Sequence, residues 1–569
     1  LTSVGDAKKN GRMSHSDELA AKIAEAKRFR TRLDFTVDFT SPPHALETHA
    51  ARTPDAPYLI AYDAAGRRET LSYGEFLARV TRGAALLTAL GVRRGDRVAT
   101  FAHNHVETVV AYFAVWRVGA CLVPVNMTED DRRRRFILEN SDARVILALA
   151  EHAAAALSAA DEIPGGARVV QLTGEPLPGA RAWRSAHETE TPAADAPDFS
   201  DEALIVYTSG TTGAPKGVVL THANILYDAH ALREWNRLKP ADRLMCVLPI
   251  HHVNGMIVTL VTPLYAGCAT VLNAKFSPAH FWERIAAERV RIVSVVPTLL
   301  AFLLDAPALR DGHDVSSLSH VICGAGPLTV EVAQRFEETF DLRILHGYGL
   351  SETTCYSSML PLDLSPEAHR RRMRDFGFPS IGVAIAGCEM AIHDPDGRPL
   401  PPGARGEIVI CGPTVMEGYF NRPDANAEAF AHGWFRSGDE GFFERDETGR
   451  EFFFITGRIK ELIIRGGVNL SPFEIDEALG RIPGVRCGLA VGFENHWYGE
   501  EVGAYVVPED GAALDAETIL AAVRAELPFH KTPKIVVFGT EIPVTSTGKY
   551  QRNKLKPFFA AWKETQFKP

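Results

Sequence analysis

The chain has 569 residues, 46% of them apolar and 23% charged, with a formal net charge of −10. This is ordinary globular composition with enough length for several substructures, and the acidic balance argues against a nucleic-acid binder. No apolar run reaches about 18 residues, so no integral membrane segment is expected, and the eight scattered cysteines, without a C-x-x-C pair, predict reduced thiols rather than a disulfide framework or zinc site.

The polar first dozen residues lack the apolar core of a signal peptide, so a cytoplasmic protein is expected. Ser16–Arg32 has the pattern of a charged amphipathic helix; residues 1–30 are taken as a lead-in. Helical patterns at Tyr73–Leu90 and Val106–Val118 alternate with β-prone runs at Arg97–Phe101, Ala120–Val125, Arg144–Ala148 and Val169–Leu172. Such alternation predicts βαβ units and largely parallel sheets. Ala186–Pro197 reads as a surface linker. The alternation resumes with a helix at His222–Leu238 and strands at Leu244–Leu248, Arg291–Val296, His320–Cys323 and Leu342–Leu345. From Ile381 the texture changes: Val383–His393, Gly406–Cys411 and Glu451–Ile455 are separated by Asp-Pro-Asp-Gly and Pro-Pro-Gly turns, which predicts an antiparallel barrel or meander. Near Lys460 a smaller α+β unit begins, with a tight turn at Gly466-Gly467. Ser471-Pro472-Phe473-Glu474 has the form of a capping box opening a helix to about Arg481. The charge runs Glu129–Arg135 and Arg370–Arg374 are read as solvated helix faces.

Four glycine-bearing segments carry chemistry. Tyr207–Gly217 reads Y-T-S-G-T-T-G-A-P-K-G; hydroxyls, close-approaching glycine backbone and one ammonium suit a polyphosphate. It lacks the Ser or Thr after lysine and the following helix of the common phosphate loop, and reads as a loop between two strands. His346–Thr353 offers a tyrosine between glycines, a hydroxyl at Ser351 and a hard oxygen ligand at Glu352, suited to stacking a base and holding Mg²⁺. Asp439 stands in a glycine turn, and Pro543–Arg552 carries a lysine beside glycine. Pro249–Gly255 contains adjacent histidines; on a strand these would point oppositely, which argues against a shared metal ion.

Taken together, Y-T-S-G-T-T-G-x-P-K-G, Y-G-x-S-E, the Asp439 turn, Thr456–Asn469 and P-x-T-x-x-G-K-x-x-R resemble the signatures of adenylate-forming enzymes, which include acyl-CoA synthetases, peptide-synthetase adenylation domains and luciferases. The likeness runs from about Ala45 to Leu555 and is strongest to the AMP-forming acyl-CoA ligases. It implies an α/β fold: a large N-terminal domain (31–459) of two α/β subdomains plus a β-barrel, and a small mobile α+β C-terminal domain (460–569) with its hinge at Lys460. It implies ATP or AMP binding by Thr208, Ser209, Gly210, Thr211, Thr212, Gly213, Lys216, Gly324, Ala325, Tyr348, Gly349, Ser351, Asp439 and Arg458. Glu352 would bind Mg²⁺, Lys549 would act in adenylation, and His252 would gate the acyl site. Val253, Val295, Val296, His346 and Gly347 would wall the acyl pocket, their valines leaning towards a fatty or aromatic acid. Gly466 and Gly467 would enter the site for transfer to coenzyme A.

Two alternatives stand beside this reading: an adenylate ligase that loads a carrier-protein phosphopantetheine, and a non-catalytic homologue that binds nucleotide or acid. A homodimer is compatible with either.

Overall fold

The computed structural model describes residues 15–28, 36–183, 196–208, 214–545 and 550–567. Ser209 to Gly213, Lys549 and most of the expected linker lie outside the described residues. The first helix runs His15–Ala26.

Two mostly parallel sheets are built from the chain up to Ala384, with the short strand Gly418–Tyr419 added at one edge. The eight-stranded sheet has the order 418–419, 216–221, 202–208, 121–125, 97–101, 145–148, 168–171, 180–182. The nine-stranded sheet has the order 383–384, 358–359, 344–348, 320–323, 292–295, 243–246, 269–273, 57–62, 68–72. Their central strands read as unbroken apolar runs because helices cover both faces: Cys121–Val125, Val145–Ala148 and Ile292–Val295 are buried at every position. Helix Tyr73–Ala89 starts with a reciprocal capping box between Ser72 and Glu75. Helix Val106–Arg117 is buried over eleven residues, and its Trp116 Nε1 donates to Ala203 O at 2.8 Å. That bond ties the helix to the strand Glu202–Thr208, which leads into the glycine-rich segment.

Four strands, Glu389–His393, Gly406–Cys411, Phe435–Arg445 and Glu451–Arg458, form the antiparallel region. They pair in chain order. Among the described residues no ladder joins the first strand to the last, so these four strands form an open meander, one of the two arrangements expected. The single β run expected at Val383–His393 is two strands in different sheets, parted at Ile385–Cys388, where a reverse turn closes with Cys388 N donating to Ile385 O.

The C-terminal unit is a sheet in which Gly499–Pro508 pairs with Val485–Asn495, Ile463–Arg465 and Ile535–Phe538. Its helices Pro472–Gly480 and Ala516–Glu526 contribute Ile475, Leu479, Ile519 and Val523 to a core of its own. The expected capping box at Ser471 does not form. Ser471 Oγ donates instead to Thr456 O, at the end of the meander, and Glu474 pairs with Lys531 at 2.8 Å. The N-cap hydroxyl is spent on holding the two units together.

The Glu129–Arg135 run is a helix start laced by surface pairs such as Arg133–Glu129. The second run differs in one member: Arg372 is buried with its guanidinium 4.2 Å from the Phe452 ring centre, a cation–π contact that replaces water. Seven of the eight cysteines are buried and no disulfide joins any of them. No described helix is long and apolar enough to cross a membrane.

Candidate active site

The candidate site assembles from three substructures. Strand Ile344–Tyr348 runs in the nine-stranded sheet and ends on Tyr348. A short turn of helix, Ser351–Thr353, follows and carries Glu352. The meander brings Asp439 and Arg458 together as direct cross-strand partners. Tyr348 Oη donates to Asp439 Oδ2 at 2.7 Å, and Arg458 Nε lies 3.1 Å from Asp439 Oδ1. Asp439 is buried and its Oδ1 has no hydrogen bond of good geometry. Its Oδ1, shielded beside Arg458, therefore keeps acceptor capacity that no well-formed hydrogen bond uses. The carboxylate in turn raises the Arg458 guanidinium above its ordinary value. Ser437 steadies the turn, accepting from Asp439 N–H at 3.0 Å while donating to Ile408 O.

Lys216 comes from the eight-stranded sheet. Strands Glu202–Thr208 and Lys216–Thr221 are antiparallel neighbours with Thr208 opposite Lys216, so the two strands pair as a hairpin. The short strand Gly418–Tyr419 pairs with Val218–Val219, which sets the Tyr419 ring 4.0 Å from Lys216 Nζ. Tyr419 Oη donates to Glu352 Oε1 at 2.9 Å. One tyrosine therefore links the ammonium to the carboxylate. Burial pulls the Lys216 ammonium below its usual value while Glu352 pulls it up. Glu352 is buried, and Oε2 has no hydrogen-bond partner among the described residues. A hard carboxylate oxygen that is free to bind suits Mg²⁺. Sequence reasoning missed Tyr419; the only signal was a Gly-Tyr pair 67 residues from Glu352.

The backbone just beyond Glu352 is strained. Thr354 has φ +70° and ψ −62°, and Cys355 N–H donates to Thr353 O at 2.9 Å. This is the rarer γ-turn, costly for a β-branched residue. It is held by Thr354 Oγ1 donating to Thr414 O at 2.7 Å.

Gly324 and Ala325 follow strand His320–Cys323, and Ala325 takes a left-handed φ of +65°. Beside them the buried Tyr356 ring closes the space behind two glycines. A Cβ at Gly347 would lie 2.7 Å from its Cε1, and one at Gly324 2.7 Å from its hydroxyl. Tyr356 Oη accepts from Asn254 Nδ2 at 3.3 Å, and Ser294 Oγ donates to Asn254 Oδ1 at 2.7 Å. Val253, Val295 and Val296 are buried in core clusters. His346 is buried, its Nδ1 3.0 Å from Ser380 O, and burial pulls its imidazole down to about 4, so the ring is neutral.

Pro249–Gly255 is not a strand. His251 and His252 sit in a turn with ring centres 4.3 Å apart, followed by a π-helix, Asn254–Val261. Such helices recur at functional sites. The turn is pinned from the other sheet by buried Asn104, whose Nδ2 donates to Leu248 O and Asn273 O and whose Oδ1 accepts from Ile250 N–H.

Gly466 and Gly467, with φ of +57° and +84°, connect Arg465 to Val468. A two-residue hairpin loop with both φ positive is the form that glycine favours. The hairpin projects, with Ile464 53% and Val468 52% exposed. Lys460 is exposed and 3.4 Å from Glu428. The structure thus links Lys216 to Glu352 through Tyr419 and Tyr348 to Arg458 through Asp439, with the Glu352 charge also acting on Arg458, while Gly466 and Gly467 lie on the second unit.

Comparison with known proteins gives a consistent result. A family model described as AMP-binding enzyme matches residues 46–420, and one described as AMP-binding enzyme C-terminal domain matches residues 474–549. The chain is 36% identical to a sulfoacetate–CoA ligase of Cupriavidus necator over 90% of this chain and 96% of that protein. It is 33% identical to a feruloyl-CoA synthase of an Amycolatopsis species over 86% and 94% of the two chains. Among solved structures, ATP-bound MatB from Rhodopseudomonas palustris matches with a TM-score of 0.78 at 28% identity, covering 90% of this chain and 99% of that one.

Proposed function

The chain belongs to the family of AMP-binding enzymes, and from that premise we propose how its residues divide the work of an AMP-forming acid–CoA ligase. In the first step a carboxylate oxygen attacks the α-phosphorus of ATP. The bond to the bridging oxygen breaks and pyrophosphate leaves, giving an acyl adenylate. In the second step the sulfur of coenzyme A attacks the acyl carbon, its proton is lost, and AMP departs.

The observation that carries this division is the buried Asp439 carboxylate held between Arg458 and Tyr348, its Oδ1 without a well-formed hydrogen bond. Asp439 accepts both ribose hydroxyls and Arg458 holds it in place. Lys216 and the hydroxyl of Thr208 face the phosphates, with Ser351 at the α-phosphate. Glu352 would hold Mg²⁺ through its free oxygen, and the ion would supply charge neutralisation on the phosphates. Lys549, by its place in the C-terminal motif, bridges the carboxylate and α-phosphate, where a positioned cation is worth a few kcal/mol. His252 gates the acyl site. The Gly466-Gly467 hairpin enters for the second step after rotation about Lys460, and its bare backbone and apolar flanks suit a surface that docks transiently.

For the acid, the wall made by Asn254, Ser294 and Tyr356 favours a short acid with a hydrogen-bonding substituent, since Tyr356 leaves no room beyond Gly347. A free thiol is the acceptor, in preference to a carrier protein.

A panel of short hydroxy-, sulfo- and dicarboxylic acids, with fatty and aromatic acids, assayed for pyrophosphate release, tests the reading. The expected products are AMP and an acyl-CoA. Release of ADP would overturn the scheme, and a preference for long-chain acids would overturn the assignment of the Tyr356 wall alone.

A further inference from the structure

Outside the site described, one cluster of ligating side chains is built on paired strands. Arg97–Phe101 and Val145–Ala148 are parallel neighbours in register, Phe101 opposite Ala148. Both chains leave the same end of the sheet, the edge at which α/β sheets bind ligands. The ladder extends one step further, Leu149 N–H donating to Phe101 O at 3.2 Å. His103 follows the first strand; Glu151 and His152 follow the second, in a turn whose Ala150 N–H donates to Thr173 Oγ1 at 3.1 Å. The sheet register therefore sets how near the two loops come.

We propose that His103, Glu151 and His152 form a binding site for a divalent transition-metal ion of the zinc class. One ligand atom from each lies within 4.8 Å of the others. His103 Nε2 and Glu151 Oε1 are 3.4 Å apart. Ligands about 2.0–2.1 Å from a tetrahedral zinc stand roughly 3.3–3.4 Å from one another, so this edge is already at length. The imidazoles meet edge to face with centres 5.8 Å apart, and partial exposure of all three side chains leaves rotamer freedom to close the remaining edges.

Two imidazoles and one carboxylate select a zinc-type ion over Mg²⁺, which prefers oxygen alone. Arg134 does not occupy the position: its guanidinium is engaged by Asp131 and the carbonyls of Met127 and Glu129. Nearby His105 is turned to helix capping, its Nδ1 accepting from Glu107 N–H. With three protein ligands, the remaining position opens to solvent.

The test is a Co²⁺ titration of the untagged full chain, read by visible absorption and competed with Zn²⁺, without nucleotide or acid. The expected result is one equivalent with the bands of a nitrogen-ligated ion. The double variant H103A/H152A should weaken Zn²⁺ binding at least about tenfold, as should the conservative E151Q, with unchanged melting in metal-free buffer. Equal Zn²⁺ affinity in the wild type and all variants would overturn the proposal. So would the absence of Co²⁺ bands at tenfold excess of ion.

Discussion

At the scale of single residues, the candidate site depends on tyrosines that do two things at once. Tyr419 lies against the Lys216 ammonium with its ring and holds Glu352 with its hydroxyl. Tyr419→Phe keeps the first contact and loses the second. A net hydrogen bond of about 0.5–1.5 kcal/mol, more to a charged group, predicts a fall of roughly 3- to 30-fold in ATP–pyrophosphate exchange with melting nearly unchanged. An unchanged exchange rate would remove Tyr419 from the positioning of Glu352. Tyr348 and Glu352 could be read from the sequence because they sit four residues apart in a recognisable word. Tyr419 could not, because only the short ladder to Val218 brings it across. The strain at Thr354 was equally hidden: nothing in a threonine announces a positive φ, which is imposed by the Thr414 contact and the turn closing on Thr353.

At the scale of elements, buried parallel strands were legible to within a few residues, because a continuous apolar run between helices has few other solutions. The errors came where tertiary contacts redirect local signals. Val383–His393 is split between two sheets, and the Ser471 capping box is undone by Thr456. His251 and His252, weighed as strand neighbours only in arguing against a shared metal ion, lie in a turn that Asn104 pins from another sheet. The contact between helices Pro472–Gly480 and Val330–Phe340 was also unreadable. Buried Glu477 of the first accepts from Val330 N–H of the second, at 3.0 and 3.2 Å for its two oxygens. Burial raises the Glu477 carboxyl to about 8, against the pull of this bond and of Arg481. A carboxyl raised on docking contributes stability that is full below its ordinary value of 4.5 and is lost as pH rises through about 8. The junction between the units should therefore loosen between these limits. Proteolytic cleavage near Lys460 should quicken as pH rises, and Glu477→Gln should flatten that profile. A profile unaltered by the substitution would place the pH dependence elsewhere.

At the scale of the whole molecule, the chain builds two units with separate cores. The groups we propose for the nucleotide, Lys216, Glu352, Asp439 and Arg458, belong to the large unit, while Lys549 and the Gly466-Gly467 turn belong in sequence to the small one. If the small unit serves the two steps with different faces, Lys549→Ala should abolish formation of the adenylate yet largely spare thioester formation from adenylate supplied ready-made. Rapid-quench measurement of each half-reaction checks this; equal loss in both would contradict the division of labour. The order of the motifs along the chain made the two-unit plan readable. The contacts across the junction were not, since each pairs residues whose sequence neighbourhoods give no hint of the other.

The Ser471 hydroxyl has a further consequence. While it reaches across to Thr456, the first turn of the helix behind it goes without its side-chain cap. Any swing that parts the two units releases that hydroxyl to the backbone of its own helix, and Glu474 reciprocates only by leaving Lys531. The bond surrendered between the units is then replaced by one within the small unit, so a residue that fastens the closed arrangement also lowers the cost of leaving it.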